Sequence, residues 1–270
     1  MTGAPETTIY GPAAAGHVRL ERLEGGVARV VLAQEARLNA ISAVMWDGLV
    51  AAMEAVARDG DLRAVILTGA GERAFSAGAD LSEFGEKRSD PEATAGYNAK
   101  VRAGMAAVRG AEVPVLAAIR GKCIGAGVAL AAMADLRIAD TASDFGIPAA
   151  KLGVAYDPDW VARLVALAGR ETVSALLLFG ARIKGDEARA AGLVSRLCGS
   201  DELDGAALAL ARTAAGGAPL SHRATKAALD AAVPPVSPEA DARARALAAA
   251  CDESPEYRQS VHDFNQDKTS

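Results

Sequence analysis

Three apolar runs of strand length, AVILTG (64–69), VPVLAAIRG (113–121) and LRIAD (136–140), follow one another with helical stretches between them. A strand that is apolar at nearly every position, rather than at every second one, needs cover on both faces. Intervening helices supply that cover, so the pattern restricts the chain to an α/β fold with a largely parallel sheet.

The rest of the chain fits around these strands. Residues 17–23 and 27–33 alternate apolar and polar positions about Glu24-Gly25-Gly26, the pattern of a β-hairpin. From Ser42, placed as an N-cap, apolar residues recur at helical spacing (Val44, Met45, Leu49, Ala52, Met53, Val56) until Asp59-Gly60 ends them. A long loop, AGERAFSAGADLSEF, precedes a helix within 93–110, and a small-residue helix spans about 126–134. Beyond Trp160 the sequence reads as helix apart from a short VSRLC strand. The expected division is an α/β core over 1–200 and a helical C-terminal oligomerisation region over 201–270.

Composition excludes several classes of function. Charged residues are interspersed along the chain and sum to a formal −5, with no run of like charge. Nucleic acid and anionic membrane both demand a concentrated basic face, so neither is an expected partner. The uncharged stretch from Cys123 to Ala134 is too short for the ~18 residues of a membrane span. Three scattered cysteines without CxxC spacing or clustered histidines make neither a disulfide framework nor a metal site. No metal is expected, and the default location is the cytoplasm.

Chemistry is to be sought where strands end in small residues. FSAGADL (75–81) and KCIGAGVAL (122–130) both hand a strand over to a loop or helix. Such turns aim unsatisfied backbone N–H groups into a cleft, and a helix N-terminus adds partial positive charge. The second is not a dinucleotide fingerprint. Its third glycine would have to stand at Leu130, and Asp140 comes too early for an acid ~20 positions on.

RLNAIS (37–42), AVILTGAGERAFSAGADLSEF (64–84), PVLAAIRGKCIGAGVALAAMADLRIA (114–139), FGIPAAKLGV (145–154) and GDEARAAGLVSRL (185–197) together resemble the enoyl-CoA hydratase/isomerase family, the crotonase superfamily. They run in family order over roughly residues 18 to 200. The resemblance implies repeated ββα units in a superhelix with a helical C-terminal region, assembly as a homotrimer or homohexamer, and an acyl-CoA thioester substrate. It implies no cofactor beyond the coenzyme A moiety of that substrate. Two backbone N–H groups would hold the thioester carbonyl as an oxyanion hole, those of Ala79 and Ala126. The family usually has glycine at the second position, so Ala126 requires a negative φ there. Charge that develops on the thioester oxygen is stabilised by such donors by ~3 kcal/mol each.

The residues that family hydratases use to activate water are absent. Their two glutamates align with Ala129 and Ala149, and a methyl group neither takes nor gives a proton. KLGVAYDPDW (151–160) becomes the main source of proton-transfer groups. Asp157 aligns with a catalytic carboxylate of dienoyl-CoA isomerases and aryl-CoA dehalogenases of the family, and Tyr156 with a tyrosine of methylmalonyl-CoA decarboxylase-like members. The same residues also read as a helix start, with Asp157 at the N-cap, Pro158 at N1 and Asp159 at N2, worth ~1 kcal/mol for the cap. Sequence leaves both readings of Asp157 open, and isomerase-like chemistry stands beside decarboxylase-like chemistry. A hydratase with relocated acids and a non-catalytic acyl-CoA-binding protein are the alternatives.

For the coenzyme A moiety the resemblance assigns Arg37, Leu38 and Ala40 near the nucleotide and pantetheine, and Ala77, Asp80 and Leu81 near the adenine. Phe264 and Lys268 are further counterparts. Asp135 and Arg137 read as paired structural polar groups at a strand start.

Overall fold

The computed structural model describes residues 5–12, 16–88, 90–232 and 238–266. Strands β1 (Thr7–Tyr10), β2 (His17–Leu23) and β3 (Val27–Ala33) open the chain, with β2 and β3 forming the expected antiparallel hairpin. Helix α1 (Ala43–Arg58) follows, and the Ser42 hydroxyl accepts from Met45 N at its start. Next come β4 (Ala64–Gly69), β5 (Ala74–Ser76), the short α2 (Phe84–Lys87) and α3 (Pro91–Arg109). Then β6 (Val115–Ile119), β7 (Lys122–Ile124) and α4 (Ala126–Met133) repeat the ββα order. So do β8 (Leu136–Asp140), β9 (Asp144–Gly146) and α5 (Pro158–Leu177). The chain continues through β10 (Arg182–Lys184), α6 (Gly185–Ala190), β11 (Arg196–Cys198), α7 (Leu203–Ala215), α8 (Pro219–Ala231), α9 (Pro238–Asp252) and α10 (Pro255–Gln266).

Each repeat sends its two strands to different sheets. The seven-stranded sheet has the order β1-β2-β3-β4-β6-β8-β11 and is parallel from β3 onward. A four-stranded sheet, β10-β9-β7-β5, collects the second strand of each unit, with β5, β7 and β9 parallel. The fold is the α/β ββα superhelix that the resemblance implies. The second sheet was not foreseen: its strands are three residues long, too short to show a period of two.

Alternation along β4 and β6 explains why these strands are apolar throughout. Val65, Leu67, Val115 and Ala117 point into a core shared with α1, α3 and α4. Their neighbours Ala64, Ile66, Leu116 and Ala118 point the other way, onto Leu203, Ala207, Ala211 and Ala215 of α7. Helix α7, beyond residue 200, is therefore the cover of one face of the main sheet. Trp46 of α1 is fully buried and reaches the backbone of α3 at Gly104, where an added Cβ would stand 2.5 Å from its Cε3.

Asp135 and Arg137 are both satisfied structural groups, each with its own partners. Asp135 accepts from Val115 N at 2.7 Å and from Lys226 at 2.6 Å, which ties α8 to the strand start. Arg137 donates to the carbonyls of Leu193 and Ala134, both at 2.8 Å, and burial lowers its pKa to about 10. Among the described residues no helix is long and apolar enough to cross a membrane.

Candidate active site

The three parallel strands of the small sheet all point their carboxyl ends at one cavity of about 320 Å³. Beyond β5 it is lined by Ala77, Gly78 and Ala79, beyond β7 by Gly125 and Ala126, and beyond β9 by Ile147, Pro148 and Ala149. Clefts at the carboxyl ends of parallel strands are where α/β sheets bind ligands, because the loops there are free to carry chemistry.

Backbone conformation shapes the first two turns. Gly78 has φ +99° and Gly125 φ +51°, values in the region that L side chains avoid. The turns approach closely: a Cβ on Gly78 would stand 2.9 Å from Ile124 O and 3.4 Å from Ala126 N. Gly125 takes the positive φ, so Ala126 heads α4 in helical conformation and the requirement on its φ is met. Ala126 N is the first amide of α4, without an intrahelical acceptor. Among the described residues, neither it nor Ala79 N donates to any backbone carbonyl outside the helices and strands.

The loop carrying Ala79 is laced to RLNAIS. Ala77 N donates to Leu38 O at 2.8 Å, Ile41 N to Gly78 O at 2.7 Å and Asp80 N to Ile41 O at 3.0 Å. Leu38 and Asn39 adopt left-handed conformations, and Asn39 Nδ2 holds the turn by donating to Ala70 O and Ala74 O. Arg37 Nη1 meets Asp80 Oδ2 at 2.7 Å and also reaches Ser82. Burial pushes the Asp80 carboxyl up, but the Ser82 hydrogen bonds and Arg37 outweigh it and hold its pKa below the usual range. The structure thus brings Arg37, Leu38 and Ala40 beside Ala77, Asp80 and Leu81, with Arg37 half-exposed but already engaged. The Phe264 side chain and Lys268 lie outside the described residues.

Ala149 lines the cavity, whereas Ala129, on α4, is fully buried in the core. Tyr156, on the segment before α5, also lines the cavity and packs edge-on against Trp160, with ring centroids 6.0 Å apart. Its hydroxyl is buried and has no partner among the described residues. Burial drives its pKa well above the ordinary phenol value, with Cys123 adding to the shift. The hydroxyl is therefore protonated at neutral pH and available as a donor. Tyr97 also lines the cavity, but its unbonded hydroxyl lies beside Trp46 of α1.

Asp157 is engaged on both oxygens. Oδ1 accepts from Asp159 N at 3.1 Å, the N-cap geometry of α5, and Oδ2 meets Arg245 of α9 at 3.0 Å. Arg245 also binds Asp159 and Asp241. Both carboxylate oxygens of Asp157 are therefore already taken by donors, one from the helix start and one from α9.

The description "Enoyl-CoA hydratase/isomerase" matches residues 22–269. The chain belongs to the enoyl-CoA hydratase/isomerase family. It is 33% identical over 215 residues to a short-chain-enoyl-CoA hydratase of Clostridium acetobutylicum, covering 79% of this chain and 81% of that one. It is 34% identical over 223 residues to a mevalonyl-coenzyme A hydratase of Beauveria bassiana, covering 77% of each. Among solved structures, an enoyl-CoA hydratase/carnitine racemase from Magnetospirillum magneticum is similar at 35% identity and a TM-score of 0.76, over 93% of this chain and 92% of that one.

Sequence reasoning within this family missed part of the cavity wall. Arg88, Asn98, Arg245 and Asp252 all line it. Arg88 and Asp252 are 164 positions apart and meet at 2.6 Å. Nothing local marks such a pair; the only sequence signal was the few aromatics, of which Phe84, Tyr97, Tyr156 and Trp160 converge here.

Proposed function

We propose that the chain is an acyl-CoA enzyme that stabilises a thioester enolate between the N–H groups of Ala79 and Ala126, with Tyr156 delivering the proton, in decarboxylase-like chemistry. The observation that carries this reading is Tyr156, which lines the same cavity as both turns and whose buried hydroxyl has no partner among the described residues. Loss of CO2 from a malonyl-type thioester leaves an electron pair delocalised onto the carbonyl oxygen, where two preorganised donors in a dry site stabilise it. A neutral phenol then gives its proton to the carbon, and water restores the phenol.

Isomerisation is the second reading. It requires a base to remove a proton first, and the cavity offers two carboxylates, Asp157 and Asp252, each paired with an arginine. That favours protonation of an enolate over its generation by abstraction. Hydration by the two-glutamate route has no support with alanine at 129 and 149. Exposed Leu178, Phe179, Leu220 and Leu229 support assembly of this chain into a homotrimer or homohexamer.

Steady-state assay of the purified protein on malonyl-type, 3-enoyl-, dienoyl- and 2-enoyl-CoA esters tests the reading. Turnover is expected with the malonyl type. Turnover of 2-enoyl-CoA alone would replace the reading with a hydratase having relocated acids, and tight binding without turnover of any ester would replace it with an acyl-CoA-binding protein.

A further inference from the structure

The wall of the cavity holds a charged group that the proposed chemistry does not use. Arg88 is only 6% exposed at its side chain, yet lines the cavity. Its guanidinium carbon sits 5.0 Å from the ring centroids of Phe84 and Tyr257 and 5.9 Å from that of Tyr97. These rings fix its position and supply cation–π attraction that strengthens with desolvation. Nη2 donates to Asp252 at 2.6 Å and lies 3.4 Å from Asn98 Oδ1, while Asn98 Nδ2 reaches the other Asp252 oxygen at 3.3 Å. The remaining geometry is incomplete. Among the described residues, neither the buried Nε nor the buried Tyr257 hydroxyl makes a hydrogen bond of ordinary length and angle.

A buried N–H donor left unmade costs free energy comparable to a lost hydrogen bond, and such a group in a cavity wall marks where a ligand atom completes it. Charge decides what kind of atom. Asp252 already neutralises Arg88, so a second carboxylate would enter as an uncompensated buried anion. A hydroxyl or carbonyl oxygen satisfies Nε without that penalty.

We infer that Arg88, held by Asp252 and Asn98, is a specificity residue that selects an acyl group carrying a neutral hydrogen-bond acceptor, a hydroxyl or carbonyl, at the end away from the thioester. This rests on the acyl-CoA reading above and adds the class of acyl group. A plain alkyl end leaves Nε unsatisfied, and sites built to bond a substrate hydroxyl reject the analogue lacking it.

The test is calorimetric titration of the full chain with saturated short- and medium-chain acyl-CoA esters, each beside its ω-hydroxy, ω-keto-methyl and ω-carboxy counterparts. These do not need to react. At the matching chain length the hydroxy or keto ester is expected to bind about tenfold or more tightly than the methyl-ended one. Arg88→Lys keeps a cation opposite Asp252 but lacks the Nε donor, and should erase that preference. The double substitution Arg88→Met with Asp252→Leu removes the pair together, so no buried charge is stranded, and should reverse it. Equal or tighter binding of the methyl-ended ester at every length, or a preference that survives both variants, would overturn the assignment. Tightest binding of the carboxy ester would overturn the neutral acceptor. Binding of no ester at all would remove the acyl-CoA reading itself, a distinct result.

Discussion

Arg245 on α9 reaches back 88 positions to place Nη1 3.0 Å from Asp157 Oδ2, at the N-cap of α5. One carboxylate thereby starts a helix and anchors the C-terminal segment against the cavity. Asp157→Asn keeps an acceptor for Asp159 N and should hold near-normal turnover with a modest loss of stability. Asp157→Ala removes the cap as well and should cost ~1 kcal/mol or more in denaturant melts. A large fall in kcat for the Asn variant with unchanged stability would make Asp157 a base instead.

Tyr156→Phe removes a hydroxyl that has no partner among the described residues, so thermal stability should stay level or rise. Turnover should fall by about a hundredfold if the phenol delivers the proton. Parallel melting and steady-state measurements separate the two effects, and unchanged kcat would remove Tyr156 from the mechanism.

Ala126→Pro replaces one amide hydrogen with a ring carbon and so removes that donor from the cavity. The first helical position tolerates proline because its N–H has no intrahelical acceptor. Circular dichroism should show α4 retained while kcat drops about a hundredfold or more, the loss typical of removing one oxyanion donor. Wild-type rates in this variant would show that Ala126 N does not meet developing charge.

Asp80 gives a pH signature. Its folded pKa lies below the unfolded value, so the contribution of its bonds to Ser82 and Arg37 is present in full above the ordinary carboxylate pKa of ~4. That contribution is lost as pH falls through the depressed folded value. Unfolding free energies of wild type and Asp80→Asn should therefore differ most near neutrality and converge in acid; a constant gap would deny the linkage.

Gly104→Ala should destabilise by ~1–3 kcal/mol, since the new methyl meets the buried ring of Trp46 and neither α1 nor α3 has room to yield. Urea midpoints check this, and a neutral result would mean that the two helices separate at little cost.

What could be read from the chain followed length and locality. Strands β3, β4, β6 and β8 run five to seven residues, and α1 repeats its apolar face with Ser42 as its N-cap, so both announce themselves. RLNAIS and FSAGADL were legible as partners only through family resemblance; the structure supplies the reason, the lacing of Leu38 to Ala77 and of Arg37 to Asp80. The small sheet escaped because three residues cannot display a period. Arg245 and Arg88 escaped because their partners, Asp157 and Asp252, are set by folding and by no local pattern.

Asp252 and Arg245, both on α9, close a cavity whose floor is laid between residues 77 and 160. Synthesis runs from the N-terminus, so the parallel sheet and both glycine turns leave the ribosome well before the two residues that wall the pocket. The order of manufacture is scaffold first, last wall of the binding chamber afterwards: a nascent chain stalled short of α9 would own the turns and the tyrosine yet leave the chamber open on the side that Arg245 and Asp252 close.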